Sequence, residues 1–346
     1  MGQDYRAVGD LVNSDIPHPR EVFDFLPGEN ARIAFSSALE RGRLHHAWLL
    51  VGPEGVGKST FAYHVARRLL GAAPDPAFGP LGSRRDDPVS RQIAARAHPD
   101  LLVLQRDPED GRSRKGIPAE EVRGLSEFFA KSPALAGFRV AIIDTGDDLN
   151  LHGANAVLKT LEEPPERGVI LLISNAPGGL LATLRSRCRR LKLDPPPVAE
   201  VRAWLVAKSG VDEADAEKLI AMARGTPGRA WRLAICEGLE IDRAAQEILR
   251  TLPSPDSLAL LKLADGFRGA TGAARFDLLF ERLAAQIRNA ATKLATEEGN
   301  SAEAKKQWRW AEAWEFLVRL PREAEALNLD RVDAFYTALS RLRSIA

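Results

Sequence analysis

Eight consecutive residues, Gly52-Pro53-Glu54-Gly55-Val56-Gly57-Lys58-Ser59, fit the pattern GxxxxGK[ST], with Thr60 following. Each residue type has a chemical reason. Gly55 and Gly57 let the backbone curl until successive N–H groups converge on an oxyanion. A helix starting at this point turns its positive end toward the same anion. Lys58 can reach the β- and γ-phosphates of a nucleotide, and the Ser59 hydroxyl can ligate Mg²⁺. Gly52 through Thr60 are therefore the candidate nucleotide-binding residues, Pro53, Glu54 and Val56 filling the variable positions.

A second acid belongs with this loop. Val140-Ala141-Ile142-Ile143-Asp144 is an apolar run ending in a carboxylate. In a protein with a phosphate loop that is the place of the Walker-B Asp, which holds Mg²⁺ through water. Ser59 and Asp144 are thus the candidate magnesium residues. Proteins that hydrolyse ATP with this pair commonly carry Glu at the next position, to polarise the attacking water. Here that position is Thr145, which cannot act as a base, and Asp147 and Asp148 fall where the chain should already be turning. The pair of motifs reads as ATP–Mg²⁺ binding without efficient hydrolysis.

The elements that must position these residues follow from hydropathy. Ala47–Val51, Leu101–Leu104, Val140–Ile143 and Val169–Ile173, with a weaker run at Leu191–Leu193, are short and apolar throughout, as buried parallel strands are. Helical patterns separate them, at about Phe25–Arg43, Phe61–Leu70, Ala119–Lys131 and Asn155–Glu163. Alternation of this kind predicts a parallel sheet covered on both faces. Segment 71–99, rich in Pro and Gly, reads as an irregular insertion with a short helix near Ser90–Ala97, and Asp107–Lys115 as a polar loop. Pro195-Pro196-Pro197 should end the sheet domain. Beyond them the chain reads as helical. Val198–Lys208 and Glu213–Arg224 form a small unit. Phe276, Leu279, Leu283, Ile287, Ala291 and Leu294 step along one face of a long helix. Trp310, Trp314, Leu317 and Leu320 do the same further on, and Trp308 falls off that face.

Composition sets limits. Lys and Arg number 48 against 47 Asp and Glu, a formal net charge of +1, which excludes a whole-protein basic field for nucleic acid. Two cysteines, Cys188 and Cys236, exclude a disulfide framework and a four-cysteine zinc site. No apolar run is long enough for a membrane helix, and the polar N-terminus has no signal-like core. The cytoplasm is the expected compartment, with no membrane partner.

Three further blocks carry a resemblance: Leu44-His45-His46-Ala47, then Asn155-Ala156-Val157-Leu158-Lys159-Thr160-Leu161-Glu162-Glu163-Pro164-Pro165, then Leu184-Arg185-Ser186-Arg187-Cys188. With the phosphate loop they resemble the clamp-loader family of bacterial DNA polymerase III, within the AAA+ class. The delta-prime-type members are closer than the tau/gamma-type. The resemblance covers about residues 25–235. The polar start with two prolines reads as a loose N-terminal arm (1–24), and the resemblance implies an AAA+ nucleotide-binding domain (25–195), a helical lid (196–240) and an all-α collar for oligomerisation (241–346). It also implies that Arg187 is an arginine finger, directed at the nucleotide of a neighbouring subunit, where a planar charge stabilises the transition state. Partners would be tau/gamma-type ATPases and delta in a hetero-pentamer, with sliding clamp and primed DNA reached through the complex.

Two departures bear on activity. Family members often carry a four-cysteine zinc module in the segment that here is 71–99; no cysteine lies there, so no zinc is expected. Active members place a nucleotide-sensing Arg in a Gly-Ser-x-Arg-x-Ala motif, where this chain reads Gly225-Thr226-Pro227-Gly228-Arg229-Ala230, with Gly at that position. Thr145 and Gly228 together favour a non-motor stator over the alternative, a tau/gamma-type motor or other active AAA+ ATPase.

Overall fold

The computed structural model describes residues 17–24, 28–106, 116–252, 256–296 and 301–344, without the side chains of 269–271 and 290–308. The polar loop 107–115, residues 1–16 of the expected arm, and the side chains of Ala291, Leu294 and Trp308 lie outside them. The chain divides into two compact units.

The first unit, Pro17–Glu213 with Ile220–Ala230, holds the sheet. Its strands are β1 (Ala47–Val51), β2 (Leu101–Gln105), β3 (Arg139–Asp144), β4 (Gly168–Ser174) and β5 (Arg189–Lys192). All pair in parallel, in the order β2-β3-β4-β1-β5. Side chains alternate across it. Trp48, Leu50, Val140, Ile142, Leu171 and Ile173 face a layer made by α1 (Glu29–Glu40), α2 (Lys58–Leu69) and α3 (Pro88–Ala94). Leu49, Val51, Ala141, Ile143, Ile170 and Leu172 face α4 (Ala119–Ala130), α5 (Leu151–Glu162) and α6 (Ala182–Arg187). Burial on both faces is why the strands read as continuous apolar runs. Asp144 ends β3, and the phosphate loop follows β1. With parallel strands, both come out at the carboxyl edge of the sheet, where ligands bind in open α/β folds.

Three details depart from the sequence reading. The short helix in the insertion starts at Pro88, because Asp87 caps it by accepting the Val89 N–H at 2.8 Å and proline suits the first turn. On α5 helical spacing predicts Ala154, Leu158 and Leu161 on the inward face, but the buried stripe is Ala154, Val157 and Leu161, and Leu158 is only partly buried. Residues 17–24 do not hang loose. Arg67 of α2 is fully buried and donates to the carbonyls of Arg20 and Val22, and its guanidinium lies 3.9 Å from the Phe23 ring centroid. A buried guanidinium needs acceptors, and this short segment supplies them.

After the prolines come α7 (Val198–Ser209), α8 (Glu213–Met222) and α9 (Pro227–Ile235). The second unit, Ala214–Leu219 with Trp231–Ala346, is helical: α10 (Gly238–Thr251), α11 (Ser257–Asp265), α12 (Gly269–Thr296), α13 (Ser301–Leu327) and α14 (Arg331–Arg343). Phe276, Leu279, Leu283 and Ile287 are buried along α12, as their spacing predicts. Phe267, Phe276, Phe280 and Phe335 pack edge-on and tilted in this core. Arg282 and Asp242 pair at 2.6 Å, both largely shielded. On α13 the buried stripe is Ala313, Leu317, Leu320 and Ala324, whereas Trp314 is 38% exposed. A small alanine lets α13 approach its neighbour, and the indole one position on points away. No helix among the described residues is long and apolar enough to cross a membrane.

Candidate nucleotide site

Gly55 and Gly57 both adopt positive φ, +77° and +97°, and Gly57 caps the start of α2. The loop therefore has the left-handed bends that only glycine takes without strain. Lys58 opens α2 and is almost fully buried. Its ammonium donates to the carbonyls of Gly52 at 2.8 Å and Pro53 at 2.9 Å. Burial pulls its pKa down to about 8, against the opposing pull of Glu54, Asp144 and Asp147. Burial likewise pushes the Asp144 carboxyl up, while a hydrogen bond from Ser59 and the charge of Lys58 hold it down. The fold thus brings Lys58, Ser59 and Asp144 together from β1–α2 and β3. A lysine with two neutral carbonyl partners, beside a hydroxyl–carboxylate pair, is a donor set that fits a polyphosphate carrying a divalent cation.

Arg187 is elsewhere. It is the last residue of α6, immediately before Cys188 and β5. One guanidinium nitrogen, Nη2, is 2.9 Å from Glu162 Oε1, and Nη1 donates to Thr183 O at 3.1 Å. β5 begins opposite Trp48, near the start of β1, whereas Gly52 follows the end of β1. Five residues at about 3.3 Å each put roughly 16 Å of strand between the two edges. Arg187 and Lys58 lie at opposite edges of the same sheet, so the chain does not bring this arginine to its own phosphate loop. Cys188 is buried and its thiol is pushed up to about 11, which leaves it inert.

Residues 28–197 match the family described as DNA polymerase III, delta subunit. The delta′ subunit of DNA polymerase III from Pseudomonas aeruginosa is 38% identical over 194 residues, 56% of this chain and 57% of that one. The delta′ subunit from Escherichia coli is 32% identical over 226 residues, 65% of each chain. The tau subunit from Escherichia coli is 33% identical over 190 residues, 54% of this chain and 27% of its own. Over residues 28–197 the chain is similar to the delta-prime-like members of the clamp-loader family. The match spans less than two thirds of the length of these relatives.

Thr145 and Gly228, the two positions that the sequence sets apart from active members, both have structural counterparts. The Thr145 hydroxyl donates to Asp148 at 3.0 Å. Asp147 accepts from the Ser174 hydroxyl and the Asn175 N–H, each at 2.6 Å. Both acids downstream of Asp144 are thereby committed to holding the turn and the end of β4. At the start of α9, the Gly228 N–H donates to Gly55 O at 2.9 Å, and a Cβ at 228 would lie 3.0 Å from that oxygen. A Cβ at Gly55 would in turn lie 2.7 Å from the Arg229 nitrogen. The start of α9 is thus packed directly on the loop backbone, where Gly55 leaves no room for a side chain and a Cβ at 228 would be a tight contact. Ser174 escaped the sequence reading, which placed Asp147 only at a turn. The available signal was a hydroxyl ending an otherwise apolar strand. Ser174 is fully buried and a buried hydroxyl needs a partner.

Proposed function

We propose that this chain is the delta-prime-type stator of a DNA polymerase III clamp loader, lending Arg187 to the ATP site of a neighbouring tau/gamma-type subunit. The observation that carries this reading is the placement of Arg187. It stands half-exposed at the sheet edge opposite its own phosphate loop, so a nucleotide that it served would have to belong to another molecule. In its own site Gly52–Thr60 would hold ATP, with Lys58 on the phosphates and Ser59 and Asp144 on Mg²⁺. The cation would screen phosphate charge. Lacking a carboxylate at position 145, the chain would bind without turning over. Residues 25–195 would act as the AAA+ domain, 196–240 as the lid and 241–346 as the collar of a cytoplasmic hetero-pentamer that also contains delta. Sliding clamp and primed DNA would be engaged through that complex. The motor alternative draws on the intact phosphate loop; Thr145 and the Gly228 contact count against it.

The test is reconstitution. The purified chain mixed with tau/gamma-type and delta subunits should enter a stable complex by size-exclusion chromatography. Its presence should confer ATPase stimulated by clamp and primed DNA. Failure to enter the complex, or full stimulation without the chain, would overturn the proposal.

The Lys58 environment sets a pH dependence. The free chain holds an ammonium near pH 7 and loses it above about pH 8, where burial has placed its pKa. Phosphate recognition needs the ammonium, so ATP–Mg²⁺ affinity should fall about tenfold per unit above that point. Calorimetric titration between pH 7 and pH 9 should show this loss together with proton uptake. Lys58→Arg, if it still binds, should bind with a flat profile.

A further inference from the structure

The two most specific blocks of the sequence meet at one ion pair, Glu162 of α5 with Arg187 of α6, at 2.9 Å. We propose that Glu162 is the positioning residue for Arg187: it holds the guanidinium fork in place before the neighbouring subunit arrives. This rests on the finger reading above.

Glu162 stands at the wrong end of its helix for its own stability. It is the last residue of α5, and Glu163-Pro164-Pro165 prevents the helix from continuing. A carboxylate at a helix C-terminus faces the negative end of the dipole, where a cation would be favoured. The electrostatic penalty is relieved by Arg187, which reaches across from the end of α6. Arg187 is itself tied back to its own helix through Thr183 O, one turn earlier. The guanidinium is therefore anchored by the carboxylate at the C-terminus of α5 and by a first-turn carbonyl of its own α6. Both anchors leave it 37% exposed, and the fork has further N–H donors beyond these bonds. An arginine side chain is long and flexible, and fixing it on demand would tax the step it serves. Here much of that ordering is done in the free subunit. The pair itself, with Glu162 52% exposed, is of the kind that adds little to folding stability, so its consequence should appear in turnover.

The experiment uses the reconstituted complex and its clamp- and DNA-stimulated ATPase. Glu162→Ala should lower kcat about two- to fivefold, the fold-change an exposed ion pair corresponds to, with KM for ATP unchanged and assembly intact. Glu162→Gln, which keeps an acceptor, should recover part of the loss. On an Arg187→Ala background, Glu162→Ala should cost nothing further. Glu163→Ala, one residue on, should be silent. The Glu162→Ala defect should shrink as salt rises and screens the pair in the wild type. If Arg187→Ala lowers kcat while Glu162→Ala does not, or if Glu163→Ala is equally harmful, the positioning role is wrong and the finger reading stands. If Arg187→Ala leaves kcat unchanged, the finger reading fails and this inference falls with it.

Discussion

Replacing Arg187 by alanine is expected to cripple a site this chain does not contain. In the reconstituted loader, clamp- and DNA-stimulated ATPase and clamp loading should both fall. An arginine finger supplied in trans is worth up to about 10³–10⁵ in turnover at the site it serves. Motor sites served by other fingers would keep working, so the whole-complex loss should be partial. The isolated variant should remain folded, because the side chain is half-exposed and its ion pair adds little to stability. Its ATP–Mg²⁺ affinity should equal that of the wild type, since Lys58 lies at the other edge of the sheet. Arg187→Lys should not restore full activity, because an ammonium lacks the planar fork. Arg190→Ala, on an exposed residue of β5, is the control and should be nearly silent. Equal losses at 187 and 190 would indicate a general basic patch on DNA, and such a patch weakens steeply with ionic strength. A finger defect persists at saturating DNA.

The second large effect is expected at Lys58. The isolated chain should bind ATP–Mg²⁺ and turn it over negligibly, and Lys58→Ala should weaken that binding about 10–100-fold. A charge-assisted hydrogen bond of roughly 1.5–3 kcal/mol sets this scale. The lysine is buried against two carbonyls of its own loop. The variant also leaves those carbonyls short of a donor, so its melting temperature should be followed alongside its affinity. Titration with a fluorescent ATP analogue measures the first quantity and steady-state phosphate release the second. Turnover of several per second by the wild-type chain would show that some other group replaces the base missing at Thr145. Absence of binding by the wild type would mean that the contact between Gly228 and Gly55 closes the loop to nucleotide.

Much of this architecture was legible in the residues alone. Five apolar runs became five parallel strands, within a residue or two at each end, because strands buried on both faces leave an unbroken hydrophobic signature. The phosphate loop and Asp144 were legible because their chemistry is local: glycines at the bends, a lysine and a hydroxyl at the helix start, an acid at a strand end. Where the reading slipped, periodicity had to choose between adjacent helical positions. Leu158 and Val157 are equally apolar, and so are Trp314 and Ala313 to a first approximation. Only packing decides which faces inward, and it took the smaller or β-branched residue in each case. The role of residues 17–24 was hidden for a different reason: it answers Arg67, which is far away in sequence.

What the sequence determined by itself was the set of reactive groups and the layered α/β frame, since both follow from residue type and short-range spacing. What only the tertiary structure decided was which groups share a site. Strand order brings β3 and β1 within reach of one another across β4, so Asp144 meets Ser59. Parallel pairing of β5 with β1 puts Arg187 at the far edge, against Glu162. The packing of α9 on the loop makes Gly228 a contact residue, where the sequence showed only a missing arginine. Each of these turns on contacts between segments distant in the chain, which no local pattern encodes.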